Sequence, residues 1–349
     1  MLADLARRDA VAFDLFGDAD LAGRAVTRDS LTALVDAAVT EPPGEVVYGA
    51  SFENHPVLVE RLAERHALLG NTPDTLRAVR DPARLGAVLR DAGLALPSLA
   101  PTRGLRKPLR GGGGTRVRDW RGGRLPAGTY AQERIDGLPC SAAAVADGRD
   151  AVVLGTSEQL VGERAFGVRG YRWCGNLTPP RLPPRERRAL LEQARAICSC
   201  LAAAFALRGL FGVDFIWDGE HAWTHEVNPR PTASLETIAT AHGVRPFAAH
   251  VEACGGRLPA PPSTAGPVAA AGKAIVYASE DVRVPDTRDW VDRGIRDVPH
   301  PDEAIPTGHP VCTLIATGPS PAAVLTGLEA RAAALRAELH DHAAVDAVA

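Results

Sequence analysis

With 349 residues, 46% of them apolar and 23% charged, the chain is long enough for two or three domains that each bury a core. A formal net charge of −3 and a pI near 6.4 leave no electrostatic footprint for nucleic acid or an anionic membrane surface. No run approaches the roughly 18 apolar residues of a membrane span, and Met1-Leu2-Ala3-Asp4 followed by Arg7-Arg8-Asp9 is not a signal peptide. The cysteines at 140, 174, 198, 200, 254 and 312 show neither CxxC nor zinc spacing, so reduced thiols and a cytoplasmic location are expected.

Residues 2–8 read as the end of a helix. An apolar strand follows from Ala10 to Phe16, closed by Gly17-Asp18-Ala19-Asp20, and a second runs from Glu45 to Ala50. Helical periodicity covers Arg28 to Val39 and His55 to His66, so strands alternate with helices as in a parallel, Rossmann-like sheet. Such a sheet normally opens with a strand feeding its first helix. The expectation is therefore a sheet that starts at Ala10 and lacks one βα unit. A helix over Asp81 to Asp91 and a Pro-containing connection from Leu94 to Pro101 lead into the next region.

There, Arg106-Lys107-Pro108-Leu109-Arg110 runs into Gly111-Gly112-Gly113-Gly114-Thr115. Without Cβ atoms, successive backbone N–H groups can approach phosphate oxygens and form an anion-binding concavity. The loop is too close to the strand-like Gly128 to Ile135 to be a domain linker. Of 39 basic residues only Lys107 and Lys273 are lysines, so the other 37 are Arg, and a Lys beside the glycines suggests that a compact point charge is wanted there. Neither a Walker P-loop nor a dinucleotide GxGxxG is present.

Ser141 to Val145 should pair with Ala151 to Gly155 across Asp147-Gly148, and Arg185 to Leu207 should form a long helix that takes Cys198 and Cys200 into or near the core. Gly212-Val213-Asp214-Phe215-Ile216 and His225-Glu226-Val227-Asn228-Pro229-Arg230 alternate like strands and are joined by Trp217-Asp218-Gly219-Glu220, a hairpin signal. Glu226 and Asn228 share a face, and the partner strand brings Asp214 beside them. Two carboxylates and an amide oxygen suit Mg²⁺. Arg230 is placed to hold a phosphoryl oxygen. Ser157, Gln159, Tyr171, Trp173 and Asn176 mix aromatic bodies with polar tips and are the substrate-side candidates. Pro259 to Ser263 has a linker's composition. Beyond it, Gly272 to Ala278 and Pro310 to Ile315 read as strands of a small terminal unit closed by a helix from Pro321 to His340.

The order of these parts resembles the ATP-grasp superfamily of carboxylate-amine and carboxylate-thiol ligases, most specifically in Glu226-Val227-Asn228-Pro229-Arg230. Gly70-Asn71-Thr72-Pro73, Lys107 to Gly114, Gln132-Glu133-Arg134-Ile135 and Gly170 to Asn176 look like a branch of predicted ATP-dependent carboligases related to biotin carboxylase. The resemblance implies an α/β and α+β architecture in three parts. These are a truncated Rossmann-like pre-ATP-grasp domain (1–80), an ATP-grasp domain (81–262) and a small C-terminal subdomain (263–349).

It further implies ATP with Mg²⁺ or Mn²⁺ as cofactors, with the nucleotide held by Lys107, Gly111 to Gly114, Gln132, Glu133, Arg134 and Ile135. Asp214, Glu226 and Asn228 would take the metal, and Lys107 and Arg230 would be catalytic. The implied reaction joins a small-molecule carboxylate to an amine through an acyl phosphate, releasing ADP and phosphate. Carboxyphosphate chemistry, a glutamate-type ligase of one-carbon (tetrahydromethanopterin or methanofuran) cofactor synthesis and a non-catalytic ATP-binding regulator are the alternatives, and a homodimer is compatible with all of them. Two departures stand out. Pro139 occupies the place of a ribose-binding carboxylate, and only arginines, such as Arg80 and Arg84, stand where an earlier phosphate-binding lysine is expected.

Overall fold

The structure, a computed structural model, describes residues 10–21, 25–99, 101–262 and 269–346; the expected helix end at 2–8 lies outside these residues. In chain order the N-terminal part contains β1 (Ala12–Asp14), β2 (Ala25–Thr27), α1 (Leu31–Ala38), β3 (Glu45–Val46), α2 (Pro56–Arg65), β4 (Ala67–Leu68) and α3 (Pro73–Val79). The expected parallel pairing is present, but as two separate two-stranded pieces, β1 with β2 and β3 with β4. The strand expected from Ala10 to Phe16 is shorter than its apolar run. Asp14 Oδ2 accepts from the N–H groups of Phe16 and Gly17, both at 2.7 Å, and this turn ends it. Helix starts follow local chemistry: the Ser30 and Thr72 hydroxyls and the Asp81 carboxylate accept first-turn N–H groups, with Pro73 and Pro82 set where no N–H is needed.

Next come α4 (Pro82–Asp91), β5 (Gly104–Pro108), β6 (Arg118–Trp120), β7 (Thr129–Gln132), β8 (Leu138–Asp147), β9 (Ala151–Val161), β10 (Trp173–Thr178), α5 (Pro184–Phe205), β11 (Arg208–Trp217), β12 (Ala222–Asn228), α6 (Ser234–His242) and α7 (Pro246–Cys254). The last group is β13 (Ala270–Tyr277), β14 (Val282–Arg283), β15 (Ile295–Arg296), β16 (Ala304–Ile305), β17 (Pro310–Gly318) and α8 (Pro321–Asp346). β5, β6 and β7 make a three-stranded antiparallel sheet with β5 central. An eight-stranded sheet runs β12-β11-β8-β9-β10-β13-β17-β15.

Side-chain alternation divides this sheet into two faces. On β8, Ala142, Ala144 and Ala146 pack with Leu190, Ile197 and Leu201 of α5, while Ala143 and Val145 pack with Leu235 and Ile238 of α6. A third core joins β13 and β17 to α8 around the fully buried Trp290 and Phe166. The strands of the small terminal unit expected after residue 262 join the large sheet, where β13 pairs directly with β10. Among the described residues no helix is long and apolar enough to cross a membrane.

The segment after β1 meets the segment after β15. Ala19 donates to the Val298 carbonyl at 2.7 Å, and the Asp20 carboxylate accepts from Asp297 and Val298 at 3.2 Å each. Asp18 sits half-buried in this contact, and burial, then Asp297, Asp14, Asp20 and Glu303, push its carboxyl up to about 7. A carboxyl raised in the folded state favours folding while it is protonated and loses that contribution as pH rises through about 7. The melting temperature should therefore fall between about pH 5 and pH 8, and Asp18→Asn should flatten that fall. Equal slopes in the two proteins, measured by thermal unfolding, would contradict this origin.

Candidate functional site

One cavity of about 1300 Å³ lies between the α6-side face of the large sheet, the three-stranded sheet and the N-terminal segment around Glu53 and Asn54. Its apolar part is lined by Leu96, Leu99, Leu105, Ile135 and Ile216, its polar part by the carboxylates, amides and cations described below.

The β11–β12 hairpin forms as the sequence requires. Asp218 Oδ1 accepts from the N–H groups of Glu220 and His221, Gly219 takes a φ of +103°, and the register sets Asp214 opposite Glu226 and Gly212 opposite Asn228. Asp214 is held from both sides, by Gln159 Nε2 on one oxygen and Asn228 Nδ2 on the other, each at 2.9 Å. Glu226 pairs with Arg80.

Burial is the largest influence on both carboxyls, and their environments drive them apart. With Glu226 adjacent, Asp214 is raised above the usual carboxylate range; Arg80 and Lys107 outweigh burial at Glu226 and hold it below that range. Among the described residues no cluster of three or more His, Cys, Asp or Glu suits a metal. A cation here would rely on the two carboxylates, the Asn228 amide oxygen and oxygens from a ligand. That donor set fits Mg²⁺ bound with phosphates. Offering the oxygen requires Asn228 to turn its amide, whose nitrogen now faces Asp214.

Lys107 lies on the central strand β5, and its Nζ reaches Gln132 Oε1 at 3.1 Å and both Nδ1 and the carbonyl of His225 at 3.3 Å. Burial pushes the Lys107 ammonium down against the pull of Glu226 and Asp214. His225, pushed down to about 3 by burial and by Lys107, is a neutral imidazole that can accept from it. The Gln132 side chain is thus a partner of Lys107. Glu133, expected to continue the strand, leaves the ladder; its backbone N–H donates to the Ser98 carbonyl at 2.8 Å and its carboxylate accepts from Ser98 N at 3.0 Å. Glu133, Arg134 and Ile135 still line the cavity.

The four glycines also line it, and three of them are held by neighbours. The Gly113 carbonyl accepts from Trp173 N at 3.0 Å, while Gly114, with a φ of +68°, lies so close to Tyr171 that a Cβ would fall 1.8 Å from its carbonyl oxygen. Gly111 is gripped by Asn54, whose Oδ1 accepts its N–H at 3.0 Å. Tyr171, Trp173, Gln159 and Asn176 line the cavity, but Ser157 stands behind its wall, fully buried and bonded to Ser141 Oγ at 2.9 Å and Asn176 Nδ2 at 3.2 Å. The Arg230 guanidinium is engaged by Glu53 at 2.9 Å, the Pro231 carbonyl at 3.0 Å and Asn228 Oδ1 at 3.5 Å.

Of the two arginines noted in place of a phosphate-binding lysine, Arg80 lines the cavity as the partner of Glu226, whereas Arg84 lies over the Phe205 ring, 5.9 Å from its centroid. Glu53, Asn54 and His225 were not singled out from the sequence. Glu53 and Asn54 carry no local signal, being 177 and 57 residues from their partners Arg230 and Gly111. No thiol is poised for chemistry here: burial pushes Cys174 up to about 12.

A family model for the ATP-grasp domain matches residues 80–234. This region is an ATP-grasp domain. The formate-dependent phosphoribosylglycinamide formyltransferases of Oleidesulfovibrio alaskensis (43% identical over 74 residues) and Burkholderia pseudomallei (37% over 92) are similar to 21% and 26% of the chain. The matched stretches span only 18% and 22% of those two proteins. Among solved structures, a Campylobacter jejuni biotin carboxylase complex superimposes with a TM-score of 0.69 at 14% identity, covering 93% of this chain and 86% of that one. A carboxyaminoimidazole ribonucleotide synthase from Aspergillus clavatus complexed with ATP gives 0.63 at 14% identity, covering 90% and 87%. At these identities the likeness is one of fold alone, shared over 93% and 90% of this chain.

Steric constraint differs along the glycine loop of the ATP-grasp domain. A Cβ on Gly112 would meet nothing within 4 Å, unlike one on Gly114. Gly112→Ala should therefore bind Mg-ATP within about twofold of wild type, and Gly114→Ala about tenfold or more weakly, a difference of ~1.4 kcal/mol. Calorimetric titration checks this; equal affinities would show that the docked position of the loop has no part in binding.

Proposed function

We propose that the protein is an ATP-dependent, ADP-forming ligase that activates a small-molecule carboxylate and joins it to an amine. The observation that carries this reading is the convergence of Asp214, Glu226 and Asn228 with Lys107 and the glycine loop on one cavity large enough for a nucleotide and a second molecule. Such chemistry needs positioning and charge neutralisation more than a protein nucleophile.

In this reading Asp214, Glu226 and Asn228 hold Mg²⁺, which supplies Lewis-acid neutralisation of phosphate charge when bound. The backbone N–H groups of Gly112 to Gly114 face the phosphates, and Lys107 adds a point charge fixed by Gln132 and His225. Arg230, held by Glu53, stands beside Asn228 with its remaining donors available to an acyl-phosphate oxygen. The substrate carboxylate oxygen attacks the γ-phosphorus as the β,γ-bridging bond breaks, giving an acyl phosphate and ADP. The amine nitrogen then attacks the acyl carbon, phosphate leaves, and the nitrogen gives up its proton. The apolar stretch of Leu96, Leu99, Leu105, Ile135 and Ile216 suits the adenine. The biotin carboxylase likeness keeps carboxyphosphate formation as a second reading, distinguished by bicarbonate-dependent ADP release without an amine.

An ADP-release screen over paired carboxylates and amines tests both readings. Glu226→Gln should keep the circular dichroism spectrum of the wild type and lose on the order of a hundredfold or more in turnover. Near-wild-type turnover in that variant would remove Glu226 from the machinery.

A further inference from the structure

Arg80 has its backbone fixed from both sides. It is the C-cap of α3, and the next residue, Asp81, starts α4 by accepting the N–H groups of Ala83 and Arg84 at 2.9 and 3.2 Å. The side chain is the part left to move. It is 13% exposed, and its guanidinium serves two structures at once. Nη1 donates to Glu226 Oε1, and Nη2 donates to the Gly111 carbonyl at 3.1 Å, with Asn54 Oδ1 3.4 Å from the same nitrogen.

Gly111 opens the glycine loop and, having no side chain, is gripped through its backbone. Both of its polar groups are taken: the N–H donates to Asn54 Oδ1 at 3.0 Å, and the carbonyl accepts from Arg80 Nη2 and, at 3.5 Å, from Asn54 Nδ2. Of these two partners Arg80 is the charged one, and a bond from a charged donor is roughly twice as strong as one between neutral groups. The far end of the loop rests elsewhere, on Trp173 and Tyr171. The start of the loop is therefore the end that shares a partner with the carboxylate pair.

A guanidinium is planar and its nitrogens form a fixed fork. Nη1 cannot swing away from Glu226 without carrying Nη2 away from Gly111. Whatever takes Glu226 from Arg80 thus loosens the start of the loop, although Glu226 lies on β12 and the loop follows β5. We propose that Arg80 is a latch: it seats the glycine loop while it holds Glu226 and unseats the loop when Glu226 is taken, with Asn54 as the post on which Gly111 turns. Arg80 is in this sense a positioning residue for the loop. The ligase reading is needed only to name what displaces it, the cation of a nucleotide complex, whose arrival then frees the loop to settle over the phosphates.

Limited trypsin digestion of the full chain in EDTA without nucleotide, read by mass spectrometry, tests the latch. Arg110 and Arg116 flank the glycines and are exposed, and Arg257, exposed after α7, is the reference site. Glu226→Ala and Arg80→Met should each speed cleavage after Arg110 and Arg116 about fivefold or more, with cleavage after Arg257 within about twofold of wild type. Because both variants break one connection, the double variant should match the faster single one. Glu226→Gln, which keeps an acceptor without the charge, and Arg80→Lys, which offers one nitrogen in place of the fork, should each exceed wild type by about twofold or more, and they keep the test open if a first variant fails to fold. Wild-type cleavage in both Glu226 variants, or a double variant as fast as the product of the single effects, would overturn the latch. A loop loosened by the Glu226 variants in a protein that binds no ATP analogue would leave the latch standing and the ligase reading fallen.

Discussion

Two carboxylates facing each other across a hairpin inside a largely buried cavity repel, and the site is organised around that repulsion. Asp214 and Glu226 are brought together by a register that the Asp218-Gly219 turn fixes. Left alone, the pair would be disfavoured by both burial and like charge. It is held instead by amides on Asp214 and a guanidinium on Glu226, with Lys107 adding its charge from β5. In the function proposed above, a divalent cation would take the place of these partners at both carboxylates.

The compensating groups come from distant parts of the chain, so the hairpin cannot be completed locally. Arg80 follows α3, Glu53 and Asn54 lie in the 3₁₀ turn before α2, and Gln159 lies on β9. Asn71 ties the N-terminal part down directly. Buried at 2% exposure, it donates to the Pro229 carbonyl at 3.0 Å and accepts from Arg208 N at 2.8 Å, and Tyr48 donates to its carbonyl at 2.6 Å. One short N-terminal stretch thereby bears on the start of β11, the end of β12 and, through Asn54, the entrance of the glycine loop. Changes around Glu53 are expected to be felt at Asn228 through Arg230, which bonds to both.

What could be read from the sequence follows the range of the interactions. The hairpin, the helices starting at Pro82 and Pro184, and the pairing of β8 with β9 rest on local signals and were legible, whereas the short helix from Pro73 was not expected. The grouping of Lys107, the glycines, Asp214, Glu226 and Asn228 was legible too, because their order resembles a family. The long-range parts were not. The strand expected from Glu45 forms only over Glu45–Val46, its two-residue partner β4 has no period to display, and the β10–β13 pairing joins the terminal unit to the main sheet. Ser157 shows the limit of alternation as a guide. It shares a face with Gln159, yet Ser141 and Asn176 stand between it and the cavity. Arg80 was noted as a phosphate partner, and its engagement with Glu226 follows from packing that no spacing reveals.

The central claim is that Asp214 and Glu226 together hold the divalent ion of a nucleotide complex. A crystal structure with Mn²⁺ and a non-hydrolysable ATP analogue, read by the anomalous signal of manganese, tests it most directly. The account predicts a manganese peak bridging the two carboxylates and the analogue's phosphates, with Arg80 displaced from Glu226. A manganese peak elsewhere, or nucleotide bound with the Arg80–Glu226 pair intact and no metal between the carboxylates, would contradict it.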